Sequence, residues 1–429
     1  MKNQYLPLYK LLCLFFLLMF VETSSLQATE NFRNFRFRQL STSDGLSTND
    51  IQQVYQDKEG YIWMATRNGL AKYNGYEMKI YKSNIYNWNL LGNNNISCIE
   101  EDTKHRIWIG TYDGLNVLDK VTGKIKQINK TEFSNNAISK ILVTRKGQIL
   151  LGTDQGLYQY IPERDSCVLF TRETTKDVMP QTSVKSLLED SKGNIWIGTW
   201  NEGLYRYDPE EGKYFAYPKM NERKSAHVVF EDSHHQIWVG TWEGGLFLLK
   251  NPYDMERVSW DVFRNEPAVE SSLADNTIYA LSEDRNTNSL WVGTRSGLSI
   301  LPYGTTSFVN YYPDESGHSI SGNEVTSMIC DQQGMMWLST LGGGVTAIIT
   351  RELNFALDHL ENIKKVFKTN SVRNILVDDE GLMWLSIGTY GLVVYNRQTG
   401  EWWNMRQLGF PDTGSTTYSV FSIMQSPTT

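Results

Sequence analysis

Aromatic and cationic side chains occupy one recurring place in this sequence. Each comes directly after a small residue and a threonine, as Trp200 does after Gly198 and Thr199. The set consists of Arg67, Tyr112, Trp200, Trp242, Arg295 and Tyr390, with Tyr86 and Trp88 in a neighbouring connection. Aromatic faces stack on the C–H patches of sugar rings, while polar rim groups bond the hydroxyls. The set predicts an oligosaccharide-binding surface. The alternative is that these rings cover neighbouring loops or form a contact in a homodimer.

Motifs for catalysis or cofactor binding are missing from the sequence. It has no phosphate-binding loop, no H-E-x-x-H, no G-x-S-x-G and no EF-hand loop. The glycines at 342–344 are not followed by a predicted helix, and His234 and His235 lack a third metal ligand nearby. We therefore predict no enzyme activity, cofactor or metal for these residues. The alternative is a secreted glycosidase or lyase, with Glu202 and Glu243 as candidate carboxylates.

A repeat organises the chain. Its first marker is an acidic or polar turn residue, at Asp57, Asp102, Thr144, Asp190, Asp232, Asp284, Asp331 and Asp378. Its second marker follows after six or seven residues, at Trp63, Trp108, Leu150, Trp196, Trp238, Trp291, Trp337 and Trp384. The second markers recur every 42 to 53 residues. This period is typical of a four-stranded propeller blade.

Each repeated residue has a predicted structural role. In the fourth unit, β-rich runs at 184–188, 195–199 and 214–217 and the Gly203-Leu204 pair mark four strands. The aspartate accepts bonds from turn N–H groups, and a glycine closes the turn. The tryptophan is predicted to be a wedge between blades, and the small residue two positions later to make room for it.

The offset of the first strand predicts how the propeller closes. Residues 35–40 have the pattern of an outermost strand, and they precede the first inner strand at Ile51. We expect them to pair with residues 345–349 of the seventh repeat. Residues 354–359 would open a second propeller in the same way. The predicted fold is all-β: a seven-bladed propeller of four-stranded antiparallel blades at 29–351, then the first blade of a second, truncated propeller at 352–429.

The N-terminus has the pattern of a secretory signal peptide. Lys2 and Lys10 precede an apolar run at 11–21, and Ala28 offers a cleavage site. This run is too short for a bilayer, which needs roughly 20 apolar residues, so a membrane anchor is the less favoured alternative. We predict a signal peptide at 1–28 and export of the rest.

Charge and cysteine content narrow the set of partners. The formal net charge of −7 is spread without a basic stripe, so direct contact with nucleic acid is not expected. Cys98, Cys167 and Cys330 lack metal-ligand spacing and are expected to be buried thiols, with one disulfide as the alternative.

The pattern D-x-x-G-x-I-W-x-G-T-x-x-G-L, nearly whole at 57–70 and 190–204, resembles the two-component regulator propeller repeat. The resemblance covers the chain from about residue 35 onward. It implies the periplasmic part of an inner-membrane hybrid two-component system of Bacteroides-type bacteria, a sensor histidine kinase that controls polysaccharide use. In that family a second propeller, a β-sandwich, a membrane helix, a kinase, a receiver and a DNA-binding domain follow. The implied function is sensing of a glycan-derived oligosaccharide, with the downstream domains as partners.

Five positions depart from the repeat pattern. Thr144 and Leu150 replace the aspartate and tryptophan in the third unit. His105 and His235 stand where other turns have glycine, and Ile387 replaces the threonine in the eighth unit. These departures weaken single units and leave the period unchanged.

Overall fold

A computed structural model describes the chain in two segments. The first is residues 35–350 apart from 85, 87–89, 129, 132–136, 171–180, 218–224 and 315–318. The second is residues 372–424 apart from 379, 388–390, 397–398, 400, 406, 410–419 and 421. The chain divides into two compact units, Met1–Arg351 and Glu352–Thr429. The predicted signal peptide at 1–28 and the strand predicted at 354–359 lie outside the described residues.

Antiparallel sheets of four main strands build both units, and we call each sheet a blade. The first three blades contain β2 (Ile51–Gln56), β3 (Ile62–Thr66), β4 (Gly69–Tyr73) and β5 (Met78–Tyr81); β6 (Ile96–Glu101), β7 (Arg106–Thr111), β8 (Gly114–Asp119) and β9 (Ile125–Ile128); and β11 (Ile138–Val143), β12 (Ile149–Thr153), β13 (Gly156–Ile161) and β14 (Ser166–Leu169). The short strand β10 (Lys130–Thr131) pairs parallel with β14. The next two blades contain β15 (Val184–Glu189), β16 (Ile195–Thr199), β17 (Leu204–Asp208) and β18 (Lys213–Tyr217); and β19 (Val228–Glu231), β20 (Ile237–Gly240), β21 (Leu246–Lys250) and β22 (Ser259–Phe263).

The remaining blades follow the same plan. The sixth and seventh contain β23 (Ile278–Asp284), β24 (Ser289–Thr294), β25 (Gly297–Leu301) and β26 (Val309–Tyr311); and β27 (Val325–Cys330), β28 (Met335–Thr340) and β29 (Gly344–Ile349), with β1 (Arg36–Leu40) as the fourth strand. The second unit has one described blade, made of β30 (Val372–Val377), β31 (Leu382–Ile387), β32 (Gly391–Asn396) and β33 (Trp402–Asn404). One 3-10 turn, η1 (Thr42–Asp44), follows β1. The prediction of an all-β fold with four-stranded antiparallel blades is confirmed.

Strand β1 joins the beginning of the first unit to its end. It pairs antiparallel with β29, with Arg36 opposite Ile349 and Leu40 opposite Val345. This is the predicted register. The inner strand β2 packs against both β6 and β27, and the Thr326 hydroxyl of β27 donates to the Ile51 carbonyl at 2.9 Å. The inner strands of the first unit therefore neighbour one another in cyclic order around a central channel.

Aspartate and tryptophan of each repeat are joined by a hydrogen bond that the sequence analysis did not anticipate. The indole Nε1 donates to the aspartate Oδ2 at 2.7–2.9 Å in the pairs Asp57–Trp63, Asp102–Trp108, Asp190–Trp196, Asp232–Trp238, Asp331–Trp337 and Asp378–Trp384. The other carboxylate oxygen accepts turn N–H groups, as predicted. In the sixth blade, where the tryptophan comes one residue late, Trp291 donates to Ser289 instead. In these six blades one carboxylate therefore joins the turn to the tryptophan.

The small residue two positions after the tryptophan makes room for a different neighbour than predicted. A Cβ on Gly110 would lie 2.5 Å from Cys98 Sγ and 2.8 Å from Ile138 Cγ2 of the next inner strand. A Cβ on Gly240 would lie 2.5 Å from Ile278 Cγ2. The expectation that this position accommodates the tryptophan is wrong. Blades converge towards the axis, so this position faces inner strands: those of its own and the next blade at Gly110, and most closely that of the next blade at Gly240.

The two histidines that replace turn glycines keep the turn conformation. His105 has φ 59° and His235 has φ 61°, the left-handed region that glycine adopts at lowest cost. Each imidazole Nδ1 lies 3.2 Å from a glutamate Oε1, on Glu101 and Glu231 respectively. The two histidines therefore have a structural role in these turns, where they adopt the glycine conformation and contact a glutamate of the same blade.

The remaining sequence predictions concern thiols and membrane segments. Cys98, Cys167 and Cys330 are free thiols, and the first two are buried while Cys330 is half-buried. Burial raises the pKa of Cys98 to about 11. Among the described residues, no helix has the length and apolarity to cross a bilayer.

Candidate functional site

A ring of seven side chains, one per blade of the first unit, lines one end of the central channel. Each of these side chains lies at the start of its inner strand. This is the end of the channel that also carries the loops between the second and third strands. We call this ring the inner tier: Gln52, Ser97, Ser139, Lys185, His227, Tyr279 and Thr326. These residues line one cavity of about 390 Å³. That volume is within the range of small-molecule sites.

Residues of the predicted loop set form an outer tier around the same cavity. Each follows the repeated threonine, whose hydroxyl bonds the carbonyl that ends the loop, as Thr66 does to Gly69 at 2.7 Å. The outer-tier residues that line the cavity are Arg67, Tyr112, Asp154, Trp242 and Leu341. The structure thus brings three sequence-predicted residues together, and it adds Asp154 and Leu341 from the equivalent loops.

Trp200 and Trp242 lie side by side, as predicted from their equivalent positions in consecutive repeats. Their ring centroids are 5.1 Å apart at an interplanar angle of 62°. The His227 imidazole lies against both indoles, at 6.3 Å from Trp200 and 6.0 Å from Trp242. Tyr279 completes the cluster at 5.7 Å from His227 and 5.9 Å from Trp242. We call these four residues the aromatic cluster.

Other residues of the predicted set lie elsewhere. Arg295 is exposed, does not line the cavity and pairs with Asp275, with Nη2 and Oδ2 3.3 Å apart. Tyr86 is 88% exposed and also does not line the cavity. Trp88 and Tyr390 lie outside the described residues. Arg295 and Tyr86 therefore do not share the cavity that Arg67, Tyr112 and Trp242 line.

Some side chains of the inner tier bond the next blade and others do not. The hydroxyls of Ser97, Ser139 and Thr326 each donate to a carbonyl of the next blade, at Ile138, Val184 and Ile51. Lys185, His227 and Tyr279 are larger, occupy consecutive blades and make no such bond. Sequence reasoning missed these three because it compared only positions that repeat. The available signal was three bulky, dissimilar residues at one repeat position that elsewhere has serine, threonine or glutamine.

Lys185 and His227 differ in charge: Lys185 is paired with a carboxylate, whereas His227 is neutral. Lys185 Nζ lies 3.1 Å from Asp154 Oδ1, and the Ser183 hydroxyl donates to the same oxygen at 2.6 Å. The Ser183 bond and Lys185 hold the pKa of Asp154 below its usual value. Burial, with a smaller contribution from Lys185, lowers the pKa of His227 to about 4. His227 is therefore a neutral imidazole at physiological pH.

A half-buried carboxyl group, that of Glu100, also lies along the inner strand β6. Burial raises the pKa of Glu100 to about 7, although Lys140 and a hydrogen bond with Tyr55 lower it and Glu101 raises it further. Lys140 lines the narrower continuation of the channel, about 190 Å³ in volume. The fold thus favours the protonated form of Glu100.

Glu100→Gln should raise the stability of the first unit at high pH only. The folded pKa lies above the ordinary value of 4.5. The stability that the protonated carboxyl provides is therefore complete below pH ~4.5 and lost as the pH rises through about 7. We expect the variant to melt about 2 °C or more above the parent at pH 8, and within error of it at pH 5. Glu77→Gln, an exposed carboxylate, is the control. An equal shift at both pH values would contradict the assignment.

A larger cavity, of about 880 Å³, lies on the side of the turns between first and second strands, around the fourth blade. Its buried Arg206 donates from Nη1 to Asn194 Oδ1 at 2.9 Å and from Nε to the Tyr217 hydroxyl at 3.3 Å. Asn194 in turn donates to Asp190, the repeat aspartate. These groups bond one another and support the blade, so the smaller cavity at the channel is the better candidate site.

The blades, their cyclic order and a polar site at one end of the channel define a protein of the β-propeller class. The profile of the family described as two component regulator propeller matches residues 45–68, 90–113, 179–201, 272–296 and 319–342. The chain therefore carries two-component regulator propeller repeats. The third, fifth and eighth repeats of the sequence pattern are not among the matched segments.

One relative is similar in sequence, and several solved structures share the fold. A protein named Histidine kinase P4 from Formosa agariphila is 28% identical over 370 residues, which cover 73% of this chain and 26% of that protein. The extracellular domain of a hybrid two component system from B. thetaiotaomicron superposes with a TM-score of 0.61 at 18% identity, covering 86% of this chain and 54% of that one. A second such domain gives 0.59 at 21% identity, covering 86% and 47%. Virginiamycin B lyase from Staphylococcus aureus gives 0.57 at 10% identity, covering 73% and 99%. The chain spans about a quarter of the kinase relative and about half of the extracellular domains.

Proposed function

We propose that this chain is the ligand-sensing region of a hybrid two-component signal-transduction protein, exported to the periplasm, and that its ligand is a glycan-derived oligosaccharide. The propeller repeats and the kinase relative support the sensor role. The observation that carries the ligand class is the cavity at the channel, which combines Trp242, Tyr279 and Tyr112 with polar groups such as Lys185 and His227. Sugars need both kinds of contact, because one face of a sugar ring is apolar and its rim carries hydroxyls.

Signal transmission would follow from a population shift. The cavity is lined by residues from every blade of the first unit. A ligand there would contact several blades at once. Its binding free energy would therefore differ between two arrangements of these blades, and the favoured arrangement would be transmitted to the downstream domains. The downstream domains of the same protein, a second propeller, a β-sandwich and a kinase, are the proposed partners, and a homodimer is the proposed assembly.

The proposal includes a complete seven-bladed propeller in the first unit and the opening blade of a second propeller in the second unit. Support for the second part comes from β30, where Ile375 is 59% exposed and Val377 is 49% exposed. The equivalent of Ile375 in the first blade, Val54, is fully buried by its neighbours. An exposed apolar inner strand is expected of a blade whose neighbouring blade is not among the described residues.

Loss of Trp242, which lines the cavity, should weaken ligand binding several-fold, because a stacked ring contributes on the order of 1 kcal/mol. Trp200 does not line the cavity but packs against Trp242 at a centroid distance of 5.1 Å, so its loss should weaken binding through the position of that indole. The test is calorimetric titration of a glycan panel against the parent and the Trp200→Ala and Trp242→Ala variants. Tyr76→Ala, which removes an aromatic ring that is 94% exposed and outside the cavity, is the matched control.

Thermal melts separate binding from packing. If a glycan binds and both variants bind as tightly as the parent, the site lies elsewhere. If the variants lose their melting transition together with binding, the two indoles are packing residues. Cleavage of the glycan during the titration would favour the alternative of a glycan-active enzyme.

A further inference from the structure

His227 lines the cavity, and its imidazole carries a polar atom that lacks a hydrogen-bond partner among the described residues. That atom is Nδ1, and it is buried. The ring is held on three sides by the aromatic cluster, with Tyr279 at 5.7 Å, Trp242 at 6.0 Å and Trp200 at 6.3 Å. A buried polar atom without a partner costs free energy, and native structures nearly always supply one. A ligand group is the partner that a binding cavity can supply.

A second buried atom without a partner among the described residues lies directly before a neighbouring inner strand, β23. The Thr277 hydroxyl is also buried without a partner, two residues before Tyr279 at the loop-side end of the sixth blade. The first such atom, His227 Nδ1, belongs to the fifth blade, which is adjacent to the sixth. Of the three such atoms among the described residues, two therefore lie in the blades that supply His227 and Tyr279 to the cavity, and the third, Asn95 Oδ1, directly precedes β6.

Formal charges around the cavity cancel. Lys185 is paired with Asp154 across 3.1 Å. Of the other lining residues, Arg67 contributes one positive charge and Glu324 contributes one negative charge. A ligand with several negative charges would gain from Arg67 and Lys185 and lose to Glu324 and Asp154. A neutral ligand avoids both the repulsion and the desolvation of its own charge.

We propose that the cavity binds a neutral sugar unit, one hydroxyl of which bonds His227 Nδ1 while the sugar ring packs on Trp242. A hydroxyl both donates and accepts, so it fits either tautomer of the neutral imidazole. This inference rests on the proposed function and narrows its ligand class.

The experiment titrates the full chain with neutral oligosaccharides of glucose, mannose, galactose and xylose, and with oligogalacturonides and sulfated oligosaccharides of matched length. His227→Phe keeps a ring in the cluster and removes the polar atoms, whereas His227→Gln keeps a polar group. We expect a neutral glycan to bind the parent, His227→Phe to bind it about tenfold more weakly, and His227→Gln to lie between them.

Stability provides the second readout. Because His227→Phe removes an unpartnered buried polar atom, its melting temperature should equal or exceed that of the parent while its affinity falls. A purely structural histidine would show no loss of affinity at an unchanged melting temperature, and this result would overturn the proposal. Tighter binding of the acidic glycans by tenfold would overturn the neutral ligand class and leave the proposed function standing. Absence of binding by every glycan would overturn both.

A further measurement needs no variant. The affinity of the parent for the neutral glycan should change less than twofold between pH 6 and 8, since the pKa of His227 is lowered to about 4 and the imidazole stays neutral in that range. The charged groups around it in the cavity are Lys185, Asp154, Arg67 and Glu324. A tenfold change would overturn the assignment of His227 as the neutral partner.

Discussion

Leu40→Asp should destabilise the first unit by about 4 kcal/mol or more, because it places an unpaired charge in the core at the point where the propeller closes. Leu40 is 2% exposed and packs with Ile51, Val54 and Val345. It lies on β1, the strand that supplies the outer edge of the seventh blade. The free energy of unfolding, measured by denaturant titration with tryptophan fluorescence, is the readout.

Gln39→Asp is the matched control for this prediction. Gln39 is the neighbouring residue on β1, its side chain is exposed, and it makes one bond to the Ser319 carbonyl at 3.3 Å. Its substitution should cost about 1 kcal/mol or less. Equal losses at the two positions would mean that β1 does not close the first unit.

Trp196→Ala should destabilise the first unit by about 3–5 kcal/mol, the usual cost of removing a buried aromatic ring. Trp196 is fully buried, lies against Tyr217 in a tilted arrangement at a centroid distance of 5.4 Å and packs against Val229 and Ile237 of the next blade. Its loss also removes a donor from the buried carboxylate of Asp190. Thermal and denaturant unfolding measure the effect.

The third repeat provides a control for the aspartate–tryptophan pair. It has Thr144 and Leu150 at the equivalent positions, and Leu150 is fully buried. Copying this pair into the fourth blade, as Asp190→Thr with Trp196→Leu, should cost less than the sum of the two single substitutions by about 1 kcal/mol. Strict additivity would show that the hydrogen bond between the two side chains contributes no coupling.

Much of the fold was predictable because it repeats. A residue that every blade needs, such as Asp190 or Trp196, recurs at a fixed spacing, so one sequence contains several observations of the same constraint. The register of β1 with β29 followed from the same logic, since the one strand without its own repeat had to complete the last blade. The role of Gly110 was misassigned because periodicity shows that a position is small without showing which neighbour approaches it.

The candidate site was predictable only in part. Equivalent loop positions identified Trp200 and Trp242 as neighbours, because blades related by the repeat present the same loop side by side. His227, Lys185 and Tyr279 were not predicted, although they occupy one repeat position, since their side chains differ from one another and only their departure from the small or polar residues of the other blades marks them.

The sequence by itself determined the blade, its turn and the strand that completes the seventh sheet, because these depend on contacts that are local or repeated in every unit. The tertiary structure alone decided which residues share the cavity. Ring closure brings Arg67 of the first blade and Glu324 of the seventh to one cavity across most of the chain length. His227 Nδ1 is buried there without a partner among the residues that the structure describes. Such properties depend on how the blades converge on one axis, which no spacing along the chain records.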